Sequence, residues 1–104
     1  MVDKIKWNNF SLAEKMANIG SEILRMAASK ERNDEPNIQK SAERALELID
    51  LSITGEQRGR SLEEFLRLRD IVADYYIGQQ IFQTSKRELS SYFLPFAFVA
   101  RNNF

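Results

Sequence analysis

Ser11-Leu-Ala-Glu14, Ser61-Leu-Glu-Glu64 and Ser85-Lys-Arg-Glu88 repeat one spacing, S-x-x-E, three times in 104 residues. In such a box the serine hydroxyl accepts from the backbone N–H three residues on, and the glutamate reaches back to the serine N–H. Both bonds satisfy groups that the first turn of a helix leaves without partners. Each box is followed by apolar residues at helical spacing, so together they predict three helix starts. No segment alternates as a strand would, and no repeat or low-complexity tract occurs.

The first box opens a helix over about 12–29, with Leu12, Met16, Ile19, Ile23 and Met26 as its apolar stripe. Gly20 lies within that stripe, where a missing side chain permits a neighbouring helix to approach closely. The polar run Lys30-Glu-Arg-Asn-Asp-Glu-Pro36 reads as a loop. Asp34 or Asn37 then caps a second helix, with Pro36 tolerated in its first turn. That helix carries Ile38, Ala42, Ala45, Leu46, Ile49 and Ile53 and stops near Gly55. After the linker Gly55–Arg60, the second box starts a helix with Leu62, Phe65, Leu66, Leu68, Val72, Tyr75 and Tyr76 on a broad arc, ending near Gly78. Residues 78–84 connect to the third box, with Ile81 and Phe82 expected to plug the end of the core. The last helix carries Leu89, Tyr92, Phe93, Phe96 and Ala100, and Pro95, which removes a bond to Ser91, predicts a kink. Four such helices with short connections imply an all-α fold, an antiparallel four-helix bundle in one domain over 1–104.

Composition sets limits on function. The chain has no cysteine and no histidine, which removes thiolate chemistry, the usual zinc ligands and the common general base near neutral pH. Fifteen basic residues balance fifteen acidic ones, so bulk electrostatics does not favour a nucleic acid. The longest apolar run, residues 92–100, is far below the roughly 20 residues of a membrane span. The opening MVDKIKWNNF has no apolar signal region. The expectation is a cytoplasmic, bacterial protein with no membrane contact and no cofactor.

Three groups of side chains remain as carriers of function. Glu43, Glu47 and Asp50 share a face at i, i+4, i+7, but with Lys40 and Arg44 beside them they read as a solvated, ion-paired edge rather than a metal site. Arg58, Arg60, Arg67 and Arg69 gather around the third helix, interrupted by Glu63 and Glu64, and suit ion pairs or a phosphate. Tyr92, Phe93, Phe96, Phe98 and Phe104 make the last helix apolar on more than one side. In so short a chain that predicts self-association through Tyr92, Phe93, Phe96 and Phe98.

The segment Arg69-Asp-Ile-Val-Ala-Asp-Tyr-Tyr-Ile-Gly78 joins two of these groups. At 100° per residue Arg69 and Asp74 lie about 140° apart, whereas Arg67, Asp70 and Asp74 share a face and Asp70 can pair with Arg67. The segment resembles the C-terminal signature of HEPN domains, helical proteins often partnered with small nucleotidyltransferases. The resemblance matches Arg69 to the family's arginine, Asp70 to its polar residue, and Tyr75, Tyr76 and Gly78 to its aromatic tail. Asp74 stands where the family has its catalytic histidine, and a carboxyl group is ordinarily ionised at neutral pH, so the resemblance implies binding with the RNase chemistry lapsed. Residues 17–22, 42–53 and 66–78 with the aromatic end are also similar to a family of small bacterial helical proteins of unknown function, which implies a fold and no activity.

The leading expectation is a non-enzymatic helical interaction domain, a homodimer or the partner of another bacterial protein. The alternative is an RNA- or nucleotide-binding protein using Arg60, Arg67, Arg69, Asp70, Asp74 and Tyr75.

Overall fold

A computed structural model describes residues 3–55, 60–77 and 85–102. They form five helices: α1 (Lys4–Asn8), α2 (Leu12–Glu31), α3 (Glu35–Gly55), α4 (Arg60–Ile77) and α5 (Lys86–Asn102). Among the described residues there is no strand, so the all-α expectation holds. The body measures 35 × 26 × 26 Å. A 20-residue helix is about 30 Å long, so the long helices run most of its length. None of them is long and apolar enough, among the described residues, to cross a membrane. The expected plug of Ile81 and Phe82, together with Arg58 and Phe104, lies outside the described residues.

Sequence signals explain most helix ends. Ser11 Oγ accepts from Glu14 N at 3.1 Å and Glu14 Oε1 accepts from Ser11 N at 2.9 Å, a complete capping box. Ser85 and Glu88 repeat it at the start of α5, at 3.1 and 3.4 Å. The middle box differs, because α4 already includes Arg60 and Ser61. The predicted loop 30–36 shrinks to Arg32, Asn33 and Asp34. Asn33 adopts φ 54°, Asn33 N bonds Lys30 O at 3.1 Å, and Asp34 N bonds Ser29 O at 2.9 Å. This is the Schellman arrangement, in which one left-handed residue ends a helix. It lets α2 continue to Glu31 and leaves Asp34 to cap α3, where its carboxylate accepts from Asn37 N at 3.4 Å. Pro36 then occupies the first turn of α3, where its missing N–H has no partner to lose.

The short helix α1 was not visible as a periodic pattern. Asp3 caps it by accepting from Ile5 N and Lys6 N. Five residues cannot hold a helix alone in water, and α1 is instead anchored by Trp7, 3% exposed. The indole Nε1 donates to Ser52 Oγ on α3 at 3.0 Å, and that hydroxyl donates to Leu48 O at 2.8 Å.

Helix α2 is the hub. It packs along α3 on one side and α5 on the other, while α4 lies mainly against α3 and α1 also rests on α3. Met16, Ile19, Ile23 and Met26 of α2 meet Ile38, Ala42, Ala45 and Ile49 of α3 in the core, to which α4 adds Phe65, Leu68, Ile71 and Val72, α5 adds Leu89 and Phe93, and α1 adds Trp7. Several predicted stripe residues face out instead: Leu12, Leu66 and Tyr76 are exposed. Leu12 opens α2 and Tyr76 lies in the last turn of α4, whereas Leu66 stands about 100° round from Phe65 at the edge of its arc.

Gly20 is buried against α5, and a β-carbon there would stand 2.5 Å from Phe93 Cγ and 2.9 Å from Phe93 Cβ. Those atoms are near the root of the phenylalanine and cannot swing aside, so the helices would have to part. Gly20→Ala removes a backbone-entropy penalty that normally favours alanine, yet it is expected to destabilise the fold by about 1–3 kcal/mol through overpacking. Urea denaturation of Gly20→Ala, Phe93→Leu and the pair checks this, the double variant losing less than the sum of the singles.

Candidate functional site

The described side chains singled out around α4 stand in different surroundings. Arg69 Nε lies 3.0 Å from Asp50 Oδ1 on α3, an ion pair with both partners about half exposed. Asp74 is buried at 7% exposure. Arg67 and Asp70 are both exposed, and the pairing expected between them does not form. Of Arg60 only the backbone is described. The carboxylate face of α3 is likewise committed in part: Glu43 accepts from Gln39 Nε2 at 3.1 Å, and Asp50 holds Arg69. Among the described residues, no group of three or more His, Cys, Asp or Glu is placed to hold a metal ion.

The end of α4 is held from α2. Lys30 Nζ donates to Tyr75 O at 3.0 Å and sits 5.2 Å above the Tyr75 ring. A cation there satisfies a last-turn carbonyl, complements the negative end of the helix dipole and faces the electron-rich ring. Burial raises the Tyr75 phenol above its ordinary value, and the carboxylates of Glu31, Glu88 and Asp74 add to the effect.

Between α4 and α5 lies a small hollow of about 100 Å³, lined by Arg67, Leu68, Ile71, Glu88, Leu89 and Tyr92. The hydroxyl of Tyr92, one of its lining residues, donates to Glu64 Oε2 on α4. Burial, then that hydrogen bond and the Glu64 charge, push the Tyr92 phenol well above its ordinary value, and Arg67 opposes them.

Helix α5 has two apolar faces. The inner one carries Leu89 and Phe93, at 2% and 3% exposure, with Tyr92 and Phe96 partly buried beside them. Tyr92 meets Phe93 edge-on at 5.0 Å and Phe96 at 5.7 Å. The four residues expected to drive association are therefore divided: Phe93 belongs to the core of its own chain, Tyr92 and Phe96 flank it, and Phe98 is 66% exposed. Sequence reasoning missed the companions of Phe98. Leu94 and Val99 are 69% and 44% exposed, and Pro95 is exposed with them. At 100° per residue these four fall within about 140° of one another, opposite Leu89 and Phe93.

A second feature was also missed. A cleft of about 400 Å³ opens where α1, α2 and α3 meet, lined among others by Lys6, Trp7, Phe10, Glu22, Arg25 and Arg44. Its walls come partly from α1, which no periodicity announced. Glu22 was legible, since it sits three residues from Ile19 and one from Ile23 and so belongs to the inner arc of α2.

Comparison with family models, with curated proteins and with solved structures finds no match to this chain.

Both tyrosines hold their protons more tightly in the folded chain. The stabilisation this represents is complete below the unfolded phenol value of about pH 10 and is lost as pH rises through the higher folded values. The urea midpoint is expected to stay level up to that pH and to fall beyond it. Tyr92→Phe is expected to lower stability at neutral pH by about 1 kcal/mol, because Glu64 loses a donor, and to shallow the alkaline fall relative to wild type.

Proposed function

We propose that this chain is a non-enzymatic helical interaction domain that pairs with a second copy of itself through the outer face of α5. The observation that carries this reading is the exposure of Leu94, Phe98 and Val99 on one side of a helix whose other side already fills the core. Scattered exposed apolar residues are ordinary, but several on one helical face form a patch that water disfavours. A second copy suits it for two reasons. One helix face can meet its twin about a two-fold axis without any other complementary surface. A net charge of zero also leaves no long-range repulsion between copies. The absence of histidine and cysteine from the chain supports a role in binding rather than catalysis.

The reading includes an antiparallel arrangement of the four long helices, with α5 bent at Pro95 where a backbone donor to Ser91 is missing. Such a bend would tilt Phe98 and Val99 relative to Phe93. An RNA- or nucleotide-binding role at α4 draws less support, since Arg69 is engaged by Asp50 and Asp74 is buried.

Sedimentation across a range of concentrations tests the proposal. The wild-type chain is expected to move from monomer to dimer, and Leu94→Glu with Val99→Glu to stay monomeric with unchanged helicity, since both side chains are exposed. A wild-type chain that remains monomeric at high concentration overturns the reading.

A further inference from the structure

The cleft between α1, α2 and α3 carries an unmatched buried charge. Glu22 is 9% exposed, and its Oε1 accepts from Arg25 Nη1 at 2.9 Å on the same helix. Arg44 Nε of α3 stands 3.9 Å from the same oxygen, near enough for attraction but too far for a hydrogen bond. The other oxygen, Oε2, is buried and accepts no hydrogen bond from the protein. A buried carboxylate oxygen left without a donor is among the more expensive defects a fold can hold. Neither nearby arginine is used up on it. Arg25 and Arg44 are 58% and 69% exposed at their side chains, and Lys6 is exposed on the same rim.

Part of the remaining wall is apolar, beside the polar Asp3, Asn18 and Ser21. Trp7 and Phe10 stack edge to face at 5.6 Å and 65°, and the indole N–H is already satisfied by Ser52, so Trp7 offers the cleft only ring surface. Leu48 adds to this side. At about 400 Å³ the space lies toward the lower end of the range of small-molecule sites.

These groups select a ligand by charge. A simple anion would be drawn by Lys6, Arg25 and Arg44 but would sit against Glu22. A simple cation would match Glu22 but would have to pass three cations, and the second carboxylate of the lining, Asp3, is taken up in capping α1. We propose that the cleft binds a small zwitterion of the α-amino-acid type with an apolar side chain. Its ammonium pairs with the Glu22 carboxylate, its carboxylate accepts from Arg44 and Lys6, and its side chain lies on Phe10 and the uncovered edges of Trp7 and Leu48. This site is separate from the outer face of α5 and does not depend on association there.

The chain has a single tryptophan, and it lines the cleft, so intrinsic fluorescence reports occupancy directly. L-phenylalanine is the probe, titrated beside N-acetyl-L-phenylalanine, which lacks the ammonium, and L-phenylalaninamide, which lacks the carboxylate. Saturable change with L-phenylalanine is expected, and each blocked form is expected to bind at least about tenfold more weakly, the scale of losing a charge-assisted hydrogen bond. Glu22→Gln should abolish the preference for a free ammonium. Should that variant fail to fold, Arg44→Ala and Lys6→Ala alter only exposed side chains and should weaken L-phenylalanine while leaving the amide unaffected. No saturable change at millimolar L-phenylalanine, equal binding of the blocked forms, or variants that bind as wild type does would each overturn the proposal.

Discussion

The close approach of α2 and α5 at Gly20 is the contact on which the rest of the arrangement depends. Phe93 occupies the space that a β-carbon at position 20 would need, so the two helices meet with almost no gap. That contact fixes which side of α5 faces inward. With Leu89 and Phe93 turned to α2, Leu94, Phe98 and Val99 lie exposed on the outer side of α5. The outer apolar face is thus a geometric consequence of the inner one. It is this outer face that the proposed pairing of two copies would remove from water.

The opposite flank of α2 is organised by polar groups. Trp7 reaches Ser52, and Ser52 in turn reaches the Leu48 carbonyl, so one serine on α3 satisfies the indole and keeps its own proton bonded. This small network holds a helix too short to form unaided. By pinning α1 across α3 it also walls the cleft in which Glu22 is buried. The two candidate surfaces are therefore separate in origin: one is the residue of apolar packing, the other the product of a polar anchor.

Two charged contacts join α4 to its neighbours. Arg69 ties α4 to α3 through Asp50, and Lys30 ties its end to α2 through the Tyr75 carbonyl. Exposed pairs such as the first contribute little to stability, typically under about 1 kcal/mol, but they occupy side chains that a phosphate would need. Along the segment 69–78 expected to carry a site, Arg69 faces α3 while Asp74 is buried. A site requires several side chains to reach one point, and adjacency along a helix does not secure that.

The sequence by itself determined that the chain is helical and where most of the long helices begin. Ser11 with Glu14, Ser85 with Glu88, and Asp34 before Pro36 act within one turn, so their effect is local and readable without any neighbour. It also marked Gly20 as a place of close approach and most of the core stripes. The tertiary structure alone decided three things. It selected Phe93 for the core and Phe98 for the surface, although both are phenylalanines on one aromatic helix. It made α1 a helix by giving Trp7 a partner 45 residues away in Ser52. It left Glu22 Oε2 buried without a donor, on a helix face whose periodicity promised only packing. In each case the deciding energy comes from residues distant in sequence, and local spacing carries no information about which of them will meet.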